Sequence, residues 1–172
     1  TSSEYVERLR NNNIRVINFE DLGEGANLAD LVINAIYPEK NILPNHYFGH
    51  NYFCLRDEFL LSPKKTVASD VKTVLISFGG VDPNNYTHRV LKAIYEYCVN
   101  AKIQIFVIAG FGYSKYDTLT EFKDIEIIMD SSSIADYMLK ADVIFTSAGR
   151  TTYEAAAIGT PTIVMAQNER EM

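Results

Sequence analysis

Five short runs of nearly unbroken apolar residues constrain this chain more than any other feature. They are "TVLISF" (Thr73 to Phe78), "IQIFVIA" (Ile103 to Ala109), "IEIIM" (Ile125 to Met129), "VIFTS" (Val143 to Ser147) and "TIVMA" (Thr162 to Ala166). Such runs mark strands covered on both faces, as in a parallel sheet. Between them the period becomes helical. Val90, Ile94, Tyr97 and Cys98 share one face, as do Ile134, Tyr137, Met138 and Ala141. Five strands and four helical links predict a Rossmann-like, doubly wound parallel α/β sheet from about residue 70.

The first sixty residues read differently. "SEYVERLRNNN" is expected as a helix end, "IRVINFED" and "ADLVINAIY" as strands, and "NHYFGHNYFCLRDEF" as an aromatic loop with Asp57 and Glu58 in a surface turn. The echo between "ADLVINA" and "ADVIFTS" suggests the tail of a second α/β domain, since two strands do not fold alone. "LSPKKTVASD" (Leu61 to Asp70) is the natural linker, which places the boundary between residues 1–62 and 63–172.

Composition narrows the classes. Of 172 residues, 47% are hydrophobic and 22% charged, enough for a sizeable core. A formal net charge of -6 argues against gripping nucleic acid by its phosphates. No run of eighteen apolar residues is present, so no membrane span is expected, and the start lacks the basic and apolar regions of a signal peptide. Cys54 and Cys98, without metal-ligand spacing, are expected as buried reduced thiols, which fits a cytoplasmic protein. The chain starts without methionine and stops at "AQNEREM", so it reads as a piece of a longer protein.

Ligands of an open parallel sheet bind outside the carboxyl ends of the strands. Three loops therefore carry the candidate chemistry. In "SFGGVDPNN", Gly79 and Gly80 allow positive φ and close backbone approach, and Pro83 and Asn84 suit a helix start whose N–H groups could hold a phosphate; a plain tight turn is the other reading. The dinucleotide fingerprint is missing, and the second strand ends in Ala109 and Gly110 rather than in an acidic residue, which argues against a nicotinamide enzyme. In "SAGRTTYEAAAIGTP", Ser147 and Gly149 turn the chain. Arg150, Thr151 and Thr152 open a helix whose amides and hydroxyls suit a diphosphate, and Glu154 could accept from a vicinal diol. The alternative is a threonine cap with Glu154 closing a capping box. In "IIMDSSS", a planar base could lie against Ile128 and Met129, whereas Asp130 and the serines could simply cap the next helix. Gln167 and Asn168 are plausible sugar contacts on the same edge.

Of three histidines, His46 and His50 lie in the aromatic loop and His88 opens a helix on its solvent side as a minor candidate. No triad or metal set joins them, and neither a metal nor a cofactor is expected.

"VLISFGGVDPNN" with "ADVIFTSAGRTTYEAAAIGTPTIVMAQNE" resembles the carboxyl-terminal half of the UDP-sugar hydrolases of pseudaminic acid biosynthesis, and "YFGHNYFCLRDEF" resembles the segment joining that family's halves. Sugar-nucleotide proteins of spore coat polysaccharide synthesis are relatives, and the lipid-linked GlcNAc transferases share the S-x-G-x-T-x-x-E pattern. The resemblance implies a GT-B fold, of which this chain would hold the carboxyl-terminal domain and the tail of the amino-terminal one. It implies UDP or a UDP-sugar as ligand. Gly79 and Gly80 would line the crevice, Gly149, Thr151 and Thr152 would cradle the diphosphate, Glu154 would take the ribose, and Asn168 would lie near the sugar. Glu169 and Arg150 depart from the family pattern. The implied reaction is metal-free attack of water at the anomeric carbon. Its catalytic base lies in the missing amino-terminal domain, so no catalytic residue is expected here. A glycosyltransferase using the same donor, or a non-catalytic sugar-nucleotide-binding module, remain alternatives.

Overall fold

The computed structural model describes residues 1–36, 43–129, 131–169 and 171–172. The chain forms two compact units, Thr1–Cys54 and Leu55–Met172. In the first, helix α1 (Ser3–Arg10) is capped by the Ser2 hydroxyl, which accepts from the Tyr5 amide. Strands β1 (Ile17–Phe19), β2 (Leu31–Asn34) and β3 (His46–Phe48) pair in parallel in that order. Val6, Val16, Ala26, Ala29 and Val32 form this unit's core. β3 falls in the stretch expected as loop. Three residues are too few to show a period, so only its pairing with β2 reveals it.

The second unit contains α2 (Asp57–Leu60), β4 (Thr73–Ser77), α3 (Tyr86–Asn100), β5 (Gln104–Ala109), β6 (Ile125–Met129), α4 (Ile134–Lys140), β7 (Val143–Ser147), α5 (Arg150–Ile158) and β8 (Thr162–Met165). Its sheet runs β6-β5-β4-β7-β8, parallel throughout. This is the doubly wound arrangement that the apolar runs predict, and its order reverses at β4, between β5 and β7. Side-chain alternation divides the core. Val74, Ile76 and Phe78 pack with Val90, Leu91 and Cys98 of α3, whereas Leu75, Phe106 and Ile144 pack with Met138 of α4, Ala155 and Ile158 of α5, and Phe59 of α2.

Several expectations change. β6 and β8 are the edges, so Ile127, Met129, Ile163 and Val164 are exposed instead of covered on both faces. The link from β5 to β6 is a short 3-10 turn, Tyr116–Leu119, in place of an α-helix. Tyr97 is 71% exposed while its neighbour Cys98 is buried, because the apolar stripe of α3 runs through Val90, Leu91, Ile94 and Cys98. Cys54 is exposed, and no disulfide joins it to Cys98.

The unit boundary falls between Cys54 and Leu55 instead of at residue 62. Phe59 is buried in the second core. The stretch expected as a linker is tied to the same unit, since the Lys65 amide donates to Ile158, Lys65 Nζ to Leu139 and Lys64 Nζ to Ala157.

Candidate functional site

The loops after β4, β7 and β8 meet at the carboxyl edge of the second sheet. Gly79 has φ +77, the left-handed conformation that glycine permits, with open space beside it. The Gly80 carbonyl accepts from the Gly112 amide at 2.9 Å. A Cβ on Gly110 would come within 2.5 Å of Gly80 Cα, so this approach of two backbones requires glycine at 110.

Beyond this turn, the expected phosphate seat at the start of α3 is closed. Asp82, buried and at φ +45, accepts from the Tyr86 and Thr87 amides, each at 2.8 Å. An internal carboxylate thus satisfies the helix-end donors that an anion would need. The helix starts at Tyr86, after Asn85, and not at Pro83 or Asn84.

The β7–α5 turn is built otherwise. Gly149 is the N-cap of α5 and brings no side-chain cap of its own. Its φ is -100, and the nearest atom to a Cβ placed there is Ser147 Oγ at 3.9 Å, so the sharp turn expected of Gly149 does not require glycine. Ser147 is buried, and its carbonyl accepts from Thr152 Oγ1 at 3.0 Å. The Thr152 amide donates back to Gly149 at 3.2 Å. Both Thr152 donors are therefore committed to the loop, whereas Thr151 is half-buried with no side-chain hydrogen bond to the described residues. The capping-box alternative fails here because neither threonine is the N-cap and Glu154 points elsewhere.

A carboxylate already sits at this turn. Glu171 Oε2 accepts from the Ala148 amide at 3.1 Å and from the Gln167 amide at 2.9 Å, while Oε1 accepts from Asn168 Nδ2 at 3.1 Å. Gln167 Nε2 donates to the Phe78 carbonyl, and Asn84 Nδ2 donates to the Gln167 carbonyl. These bonds lock the segment after β8 against the end of β4. Gln167 therefore faces backbone in this structure, and Asn168 is exposed and bound to Glu171.

Glu154, on the second turn of α5, is 7% exposed. Arg56 Nη2 donates to its Oε1 at 3.3 Å. Burial pushes the Glu154 carboxyl above its ordinary range, while Arg56 and Arg150 act in the opposite sense and Glu58 adds to the rise. Arg56 Nη1 also meets Glu58 Oε1 at 2.8 Å, and Glu58 Oε2 accepts from the Ala135 amide of α4. Glu58 is thus part of a network and not the surface turn its sequence suggested.

Ile128 and Met129 end β6 and line an open depression of about 400 Å³ with Ser131 to Ser133, Asp136, Tyr137 and Lys140. Three strand spacings separate β6 from β7, about 14 Å, so this depression lies well to one side of the Gly149 turn. Asp130 lies outside the described residues. His88 pairs with Glu121 and contacts Phe122 edge-on, which accounts for it without a ligand. His46 meets the Ala26 carbonyl and lines a cavity of about 280 Å³ in the first unit with Asp21, Asn34 and Phe48. Among the described residues no group of three or more metal-ligating side chains occurs, and no helix is long and apolar enough to cross a membrane.

Sequence reading missed Arg56, Asp82 and Glu171. Asp82 carried a signal, since an acidic residue just ahead of a helix start is a capping signature. Arg56 and Glu171 act across long separations or on backbone amides and carried none.

No protein-family model matches the chain. It is 28% identical to uncharacterized protein MJ1062 of Methanocaldococcus jannaschii, over 96% of this chain and 38% of that protein. It is 26% identical to the spore coat polysaccharide biosynthesis protein SpsG of Bacillus subtilis, over 91% of this chain and 50% of that one. The crystal structure of Acinetobacter baumannii MurG superposes with a TM-score of 0.54 at 16% identity, over 95% of this chain and 49% of the other. The fold is that of a Rossmann-like GT-B domain. The chain spans half or less of the length of each of these proteins.

Proposed function

We propose that this chain is the UDP-binding half of a sugar-nucleotide enzyme. In this reading the second unit is the carboxyl-terminal domain and the first is the tail of an amino-terminal domain that supplies the catalytic base. The observation that carries it is the Glu171 carboxylate held by two backbone amides from different loops at the strand tips. Amides that converge on one anion suit another, and the diphosphate would take this position. Gly79 and Gly80 would line the crevice, with Gly149, Arg150 and Thr151 beside the phosphates. Glu154 would accept from the ribose hydroxyls, and the base would extend toward Ile128 and Met129. Gln167 and Asn168 would turn toward the sugar once Glu171 leaves.

The relationship to SpsG, whose name places that protein in polysaccharide biosynthesis, supports a sugar nucleotide as the ligand. The reaction proposed for the intact protein is displacement of UDP from an acetamido-deoxy sugar by water at the anomeric carbon. Transfer to a sugar acceptor is the rival, and product analysis of the intact protein separates free sugar from glycoside. The site itself is tested by titrating this chain with UDP, UMP and NAD. UDP is expected to bind more tightly than UMP, and NAD not at all; NAD binding without UDP binding overturns the reading.

A further inference from the structure

Arg56 is the N-cap of a four-residue helix, and its half-exposed guanidinium is contacted on three sides. Its carbon sits 4.9 Å from the Phe59 ring centroid, and Phe59 is buried. One terminal nitrogen meets Glu58 Oε1 at 2.8 Å, and Glu58 is anchored through its other oxygen by the Ala135 amide. The second terminal nitrogen reaches Glu154 Oε1 at 3.3 Å, across 98 positions of sequence. A planar fork held in this way imposes both a location and an orientation on its partner, which a lysine ammonium does not. Glu154 Oε2 takes no hydrogen bond from the described residues.

We infer that Arg56 is the positioning residue for nucleoside recognition: it holds Oε1 of Glu154 and leaves Oε2 for the vicinal hydroxyls of the ligand. This rests on the proposed binding of UDP. Arg56 itself touches neither ribose nor phosphate. It acts by keeping a buried carboxylate ionised and aimed, since a carboxylate taken from water without a partner reverts to the neutral acid. Among the described residues the charged groups that face Glu154 are Arg56, the N-cap of α2, Glu58 of α2 and Arg150 of its own helix. Among the described residues, removal of Arg56 therefore leaves Glu58 opposing ionisation and Arg150 favouring it.

The test compares wild type, Arg56→Gln and Arg56→Lys by calorimetric titration with UDP, 2′,3′-dideoxy-UDP and inorganic pyrophosphate. At neutral pH, Arg56→Gln is expected to weaken UDP about tenfold, the scale of one charge-assisted hydrogen bond. Pyrophosphate should change by less than about twofold on the same scale. The advantage of UDP over its dideoxy analogue should shrink in step, as a coupled pair requires. The pH at which UDP binding fails on acidification should rise, because the carboxylate protonates sooner. Arg56→Lys should restore that pH but recover only part of the affinity, and it serves as the readout if the glutamine variant does not fold. Equal losses for UDP and pyrophosphate overturn the inference, as does an unmoved acid limb. UDP binding that is indifferent to Arg56 removes this role alone, whereas wild type that fails to bind UDP removes the proposed function with it.

Discussion

The β4–α3 and β7–α5 turns occupy equivalent places, each carrying the chain from the carboxyl end of a central parallel strand into a helix. Their chemistry is opposite. The β4–α3 turn carries its own anion, as Asp82 lies a few residues ahead of the amides it caps. The β7–α5 turn has a glycine N-cap, which brings no side chain of its own, and the carboxylate that reaches the amide just ahead of it comes from Glu171, beyond the next strand. A helix start always presents donors. Whether it becomes a binding site depends on how locally those donors are satisfied. A carboxylate fixed within the same turn is part of the fold, whereas one brought by a distant segment is, in the proposed reading, exchangeable for a ligand.

The largest expected effect breaks the local cap. Asp82→Ala leaves two amides at a buried helix end without partners, which should cost about 2 kcal/mol. For a chain of this size that corresponds to roughly 4–8 °C in the melting midpoint, readable by differential scanning calorimetry. UDP affinity should stay within about twofold, since the other turn is untouched. If UDP binding fell as far as stability, the start of α3 would hold ligand as well and the distinction between the two helix starts would fail.

The carboxylate at the other turn should respond in the other direction. Glu171→Gln removes the charge that competes for the Ala148 and Gln167 amides, so UDP and inorganic pyrophosphate should both bind about threefold to tenfold more tightly, an effect near 1 kcal/mol. Thermal stability should move by less than for Asp82→Ala. Weaker binding of both ligands would mean that Glu171 shapes the turn instead of occupying it.

How much of this could be read in the sequence follows from the range of each interaction. The five strands were legible because continuous apolar runs are local. The full length of the β6 and β8 runs suggested cover on both faces, but edge position is a property of sheet order, which no run encodes. Tyr97 was misplaced because it sits beside the apolar stripe of α3, where a few degrees decide exposure. The loops of the candidate site were legible as places, through Gly79 and the Gly149 turn. Their internal bonds were not. Thr152 bends back to Ser147, and Glu154 meets an arginine that spacing could never have paired with it.

That arginine also sets the smallest expected effect, which concerns pH. Burial raises the Glu154 carboxyl above the ordinary glutamate value of 4.5, with Arg56 and Arg150 only partly offsetting it. A raised folded-state value means that the native chain holds this proton at a pH where the unfolded chain has released it. The stabilising contribution is therefore complete below 4.5 and is lost as pH rises through the folded-state value. Glu154→Gln stays neutral throughout and escapes that loss. Urea midpoints of the two proteins should thus diverge in favour of the variant as pH rises from about 4 toward neutrality, with other carboxylates cancelling in the difference. UDP affinity should fall in the same variant while pyrophosphate holds, setting a small gain in stability against a loss of nucleoside recognition, the usual trade at a binding site. A wild type that instead gained on the variant with rising pH would show that Arg56 and Arg150 outweigh burial, leaving Glu154 a settled ion pair and not a carboxylate held for a ligand.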